Sequence, residues 1–187
     1  FDITAISYPN NSYHTTSTVT WNSSATGTAT WRQWTGSGWS GPVPAPNSSG
    51  DKNIFIHNNI NIPFSNGSAG NYTITVTDSS ILTFDGGSSW TAKGITIDNG
   101  STLQLNTTGF GINSSNAFEV MDGGNVFLNA GFSGGSTIWG GTENFHPTSN
   151  LTINQWNPAA STPEFFTGTN FLSNTYSGYT AAFGNLT

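Results

Sequence analysis

The chain has 187 residues, a formal net charge of −6 and only 6% charged residues, against roughly 25% in an average soluble domain. Its three basic residues, Arg32, Lys52 and Lys93, are too few to neutralise a phosphate backbone or to hold an anionic bilayer, which argues against nucleic-acid binding and membrane docking. No apolar run approaches the ~18 residues of a spanning helix, and the absence of cysteine excludes a disulfide scaffold, a thiolate metal site and a cysteine nucleophile.

Polarity comes instead from Asn, Ser, Thr and Gly. Such a surface is hydrated but nearly field-free, and it predicts an extracellular or cell-surface location. The opening "FDITAISYP" does not read as a signal peptide, so a leader is expected to have been removed or the chain to be a fragment. Asn-x-Ser/Thr sequons occur at Asn66, Asn71, Asn99 and Asn106. With so much Asn, Ser and Thr they read as compositional rather than as glycan acceptors.

Residues 1–50 carry Trp21, Trp31, Trp34 and Trp39, four of the seven tryptophans. The run "TATWRQWTGSGWSGPVPAPNSSGD" is aromatic, then Pro- and Gly-rich, and leads into the first isoleucine pair. If a stacked repeat follows, this segment reads as its cap, because a solenoid must close its core with bulky side chains. The sharper alternative makes Trp31, Trp34 and Trp39 a platform for stacking sugar rings. Arg32 could lie on an indole face or serve an ordinary surface role.

From residue 51 the pattern predicts an all-β chain, since β-branched residues alternate with polar ones and helix-forming stretches are missing. Four units align: Ile54 and Ile56 with Ile60 and Ile62; Ile74 and Val76 with Leu82 and Phe84; Ile95 and Ile97 with Leu103 and Leu105; Phe118 and Val120 with Val126 and Leu128. Successive units start 20, 21 and 23 residues apart, and in the last three the two apolar pairs lie eight residues apart. A period of this size signals a solenoid. The expected fold is a right-handed parallel β-helix over residues 51–187, continuing beyond them. The alternative is a β-sandwich, in which "DNG" and "DGG" would be hairpin turns. Asp78, Asp98 and Asp122 fall at nearly the same place in successive corners, where Asp bonds its own backbone and Gly supplies positive φ.

Beyond residue 130 the rhythm lengthens through "STIWGG" (136–141), "SNLTINQW" (149–156) and "FGNLT" (183–187). Asn150-Leu151-Thr152 matches Asn185-Leu186-Thr187. A solenoid cut in mid-strand leaves an unpaired edge, so the chain is expected to be the N-terminal piece of something longer or to be covered by another subunit.

"WTGSGWSGPVPAPNSSGDKNIFIHNNINI", "GITIDNGSTLQL", "TSNLTINQWNP" and "AAFGNLT" resemble the β-helical regions of large secreted proteins of the Bacteroidetes. The resemblance spans most of residues 30–187 and marks a style of protein rather than one activity. It implies export by a type IX system, display on the cell surface or release, and adhesion or gliding motility. It carries over no catalytic residue, and the family's C-terminal secretion signal has no counterpart here.

Chemistry-bearing patterns are sparse. A glycoside-hydrolase or lyase-like β-helix needs a cluster of acids on one outer face. Asp78, Asp98, Asp122 and Glu119 are the candidates, but corner geometry already explains the aspartates, and Glu119 stands as a lone outward acid. No basic residue repeats beside them to stabilise an anion. The nonapeptide of calcium-binding solenoids is missing. His14, His57 and His146 lack zinc-ligand spacing. "GSGWSG" lacks the Lys-Ser/Thr of a phosphate loop. Thr73, Thr75 and Thr77 form one outward row, but Thr96 and Glu119 break it as an ice-binding array. No metal and no cofactor are therefore expected. The reading is a non-catalytic adhesin or filament-forming segment, with surface glycans, further copies of itself and secretion or attachment machinery as partners. A carbohydrate-binding module built on the N-terminal tryptophans is the alternative, and a polysaccharide lyase or hydrolase ranks below it.

Overall fold

The computed structural model describes residues 7–21, 31–46, 49–62, 71–86, 90–112, 117–131 and 142–155. The expected strands in "STIWGG" and "FGNLT" and the sequon at Asn66 lie outside the described residues. Those residues contain strands and no helix. The first are β1 (Ser12–Thr15), β2 (Val19–Thr20), β3 (Trp31–Gln33), β4 (Lys52–Ile56) and β5 (Ile60–Ile62). There follow β6 (Tyr72–Val76), β7 (Ile81–Phe84), β8 (Trp90–Ala92), β9 (Gly94–Ile97) and β10 (Thr102–Leu105). The last are β11 (Phe110–Ile112), β12 (Ala117–Val120), β13 (Asn125–Leu128), β14 (Thr142–Phe145) and β15 (Asn150–Ile153).

These strands wind into a parallel β-solenoid. The first sheet is seven-stranded, in the order β14-β12-β9-β6-β4-β1-β3. The second is six-stranded, β15-β13-β10-β7-β5-β2, and β11-β8 form a short third face. Among the described residues every strand pairing is parallel except β1 with β3. Because β1 and β2 already pair in parallel with β4 and β5, the ladders begin inside residues 1–50, ahead of the expected boundary at residue 51.

The repeat spacing is the register. Ile54 pairs with Ile74, Ile74 with Ile95 and Ile95 with Phe118. On the second sheet Ile60, Leu82, Leu103, Val126 and Leu151 form the matching column. All of these side chains point inward and are at most 2% exposed. Burying each contributes about 1.5–3 kcal/mol. The column breaks once: Glu143 pairs with Phe118, yet it is only 3% exposed in a place the repeat reserves for an aliphatic.

The corners between the first two sheets share one backbone turn. The amides of Ser80, Ser101, Gly124 and Ser149 donate to the carbonyls of Thr77, Asp98, Met121 and His146, each three residues back. Gly100 and Gly123, with φ of 74° and 76°, supply the positive φ of a type II turn. In the corner one coil earlier that place falls to Ser79, at φ 57°, next to Asp78 at 56°. The pairing of Val76 with Ile97 and of Ile97 with Val120 sets the corner columns. Asp78 and Asp122 share a column with Asn99 between them, while Asp98 stands in the column of Thr77 and Met121. The three aspartates expected at nearly one place are thus split between two columns.

An asparagine ladder runs along the outside, where the second sheet ends. Asn106 Nδ2 donates to Asp85 Oδ1, Asn129 Nδ2 to Asn106 Oδ1 at 2.7 Å, and Asn154 Nδ2 to Asn129 Oδ1 at 2.6 Å. Asn106 and Asn129 each donate to one coil and accept from the next, and Asp85, with acceptors only, starts the series.

Three outcomes are expected. Asn129→Ala interrupts the ladder at its middle and lowers stability by about 0.5–1.5 kcal/mol, read by urea unfolding at an unchanged slope. Ser79→Gly removes a left-handed residue that costs roughly 1–2 kcal/mol and raises the unfolding midpoint. Gly100→Ala lowers it, because the new Cβ is strained at φ +74° and lies 2.9 Å from Ser79 Oγ.

Candidate functional site

The N-terminal end is where the fold departs from repetition. β1 is held between β4 on one edge and antiparallel β3 on the other. β3 turns back on itself through bridges from Trp34 to Trp39 and from Trp31 to Val43. The amide of Trp34 donates to Ser12 O at 2.9 Å, tying this hairpin to β1. An antiparallel hairpin laid on a parallel ladder occupies an edge that would otherwise accept another strand.

Successive strand residues face opposite ways, which divides the aromatics. Trp31, opposite Thr15 in the pairing, faces the core at 1% exposure, and Trp21 is 2% exposed. Their rings lie 4.8 Å apart, edge to face. Trp21 stacks on Tyr72 at 5.8 Å, and the Tyr72 hydroxyl donates to Pro46 O at 2.8 Å. Burial, with a smaller contribution from Tyr13, pushes that hydroxyl up to about 12. These rings close the end of the core. Trp31 offers no face to a sugar, so the expected platform of Trp31, Trp34 and Trp39 does not assemble. Arg32, its neighbour, donates to Trp31 O at 3.1 Å.

Trp34 and Trp39 are half-buried on the outer face, 5.4 Å apart at an interplanar angle of 69°, an L-shaped pair rather than a flat surface. Tyr8 wedges against Trp34 at 5.4 Å, Trp39 at 4.7 Å and Phe55 at 5.1 Å. His14 lies over Trp39 at 4.0 Å and 30°, which covers one indole face. His57 meets His14 edge-on at 5.4 Å.

The histidines are the part that sequence reasoning missed. His57 Nδ1 lies 2.5 Å from Asp78 Oδ2, and the His57 amide donates to Thr15 Oγ1 at 2.9 Å. Since a carboxylate only accepts, Nδ1 carries the proton. The Nε2 atoms of both His14 and His57 are buried without a hydrogen-bond partner. Burial, then the nearby His57 and Arg32, lower His14 to about 4. The legible signal was separation by about one coil: His57 and Asp78 are 21 residues apart, one more than the step of 20 between their two units.

The candidate acids line the corners. Asp78, Asp98 and Asp122, with Asn99 and Met121, border a shallow depression of about 510 Å³. The Asp122 carboxylate accepts from the amide of Thr148 at 3.0 Å and its hydroxyl at 2.9 Å, and these bonds hold it below its ordinary value, the backbone one most. Glu119 is not alone: Asn144 Nδ2 donates to its Oε1 at 3.2 Å, and His146 Nε2 lies 3.2 Å from the same oxygen. Among the described residues no three His, Cys, Asp or Glu side chains converge as metal ligands.

Trp31→Ala is expected to cost about 3–5 kcal/mol, the range for a buried aromatic. Trp34→Ala and Trp39→Ala, cut from half-buried positions, are expected to cost less than half as much in thermal unfolding. No protein-family model, curated protein or solved structure matches this chain.

Proposed function

We propose that this chain is a non-catalytic structural segment of an extracellular surface protein, a β-solenoid that spaces or displays what it is joined to, of the adhesin or filament-forming kind. The observation that carries the reading is the register of inward apolar side chains, interrupted only at Glu143 among the described residues, beneath an outer surface made mainly of Asn and Thr. A rod of this construction extends by adding coils, and its stability comes from stacking and backbone ladders rather than from charge. Contacts made by such a surface are hydrogen bonds and ring stacking, so they depend little on salt. Surface glycans, further copies of the chain and attachment machinery are the partners that suit it.

A second reading is favoured by one feature, the paired indoles Trp34 and Trp39 on the outer face. An L-shaped pair suits the end of a neutral glycan chain better than a flat polysaccharide, and Trp31 has no part in it.

Light scattering with negative-stain microscopy of the purified protein tests the first reading. Elongated particles or end-to-end polymers are expected. A compact monomer that retains no glycan and adheres to no surface overturns both readings. Retention on a neutral glycan array that is lost in folded Trp34→Ala and Trp39→Ala variants favours the second.

A further inference from the structure

The His14–His57 pair does nothing for a passive rod. Both rings lie on the seam between the first coil and the β3 hairpin. His14 contacts the hairpin through Trp39, and His57 contacts the next coil through Asp78. We propose that these histidines form an acid-sensitive clasp, in which neutral His14 holds the β3 hairpin on β1 and its protonation releases the hairpin and uncovers the β1 edge.

The groups facing His14 come from every neighbouring element. β3 brings Arg32, directly across the pairing. The corner after β4 brings His57, and the corner after β6 brings Asp78, already engaged by His57 Nδ1. On its own strand, Tyr13 pairs with inward-facing Ile54. Among the described residues no carboxylate contacts His14 itself. Protonation would create a donor at Nε2, an atom out of water and without an acceptor, beside a guanidinium and a second imidazole. The attraction of an imidazolium for the Trp39 ring opposes release, but it gives the buried N–H no acceptor. In the open state the ring regains water and its ordinary basicity.

The sign follows from linkage. His14 titrates at about 4 when closed, against 6.5 in the open chain. The closed state is therefore favoured in full above pH 6.5 and progressively loses that advantage as pH falls toward 4. The uncovered β1 edge would pair with a strand from a second copy, which makes acid a trigger for association.

Hydrogen exchange followed by mass spectrometry at about pH 7.5 and about pH 5, corrected for intrinsic rates, reads the clasp. The reporter is the amide of Trp34, which holds the hairpin on β1 through Ser12 O, whereas the amides of Ser40 and Val43 bond within the hairpin to Gln33 O and Trp31 O. Opening at Trp34 is expected to rise between about tenfold and a hundredfold at the lower pH. The amides of Met121 and Asn129, bonded to the preceding coil, are expected to stay unchanged. His14→Gln is expected to abolish the rise, and His57→Gln, which removes one unfavourable neighbour, to make it smaller. Three results overturn the proposal: a wild-type change under about twofold, an equal rise at Met121 and Asn129, or an undiminished rise in His14→Gln. Should His14→Gln not fold, an undiminished rise in His57→Gln overturns it instead.

Discussion

Parallel pairing between coils is the constraint on which the rest of this molecule depends. Each strand satisfies its backbone only by bonding to the strand one coil before and one coil after. Residues in corresponding places must therefore lie directly over one another, about 4.7–4.9 Å apart. The column Ile54, Ile74, Ile95 and Phe118 follows from this, as does the matching column on the second sheet. A one-residue slip would turn every one of these side chains into water, so the corners must keep their length. The shared turn at 77–80, 98–101, 121–124 and 146–149 does so with different chemistry each time: two positive-φ residues in the first, Gly100 and Gly123 in the next two, and Pro147 in the last.

The same spacing explains the low charge. An ionised side chain repeated in a column would place like charges one strand apart, which is destabilising. Asparagine escapes the conflict because its carboxamide donates on one side and accepts on the other. Asn106 and Asn129 show this directly. Three of the acids on the outside meet a partner from an adjacent coil: Asp78 with His57 of the coil before, and Glu119 with Asn144 and His146, and Asp122 with Thr148, of the coil after. The geometry of these three is that of coil-to-coil fastening.

The N-terminal end answers a different demand, since among the described residues the outer edge of β1 carries an antiparallel hairpin in place of a further parallel coil. Two devices meet there. Inside, Trp21, Trp31 and Tyr72 fill the end of the core. Outside, the β3 hairpin lies antiparallel on β1 and is held by Tyr8, Trp34, Trp39 and His14. Tryptophans close together in sequence thus have opposite roles. Strand alternation sends Trp31 inward, while Trp34 and Trp39 end on the outer face, joined by the hairpin's own bridge.

The sequence by itself determined the class of fold and most of the core. A spacing that holds from unit to unit has a physical cause only if the units stack, so the inward residues from Ile54 to Leu128 were legible as a solenoid from their period alone. The cap was legible in part, as bulky aromatics ahead of the first repeat. The tertiary structure decided what depends on contact between coils. Whether an aspartate stacks on an aspartate or on an asparagine turns on a single residue of register within a corner, which kept the offset between Asp78 and Asp98 hidden. The start of the ladder at β1 was hidden too, because β2 is only two residues long and leaves no pattern. Only the folded chain brings His14 and His57 together, since β1 and β4 are separated in sequence by the cap hairpin and become neighbours through parallel pairing alone.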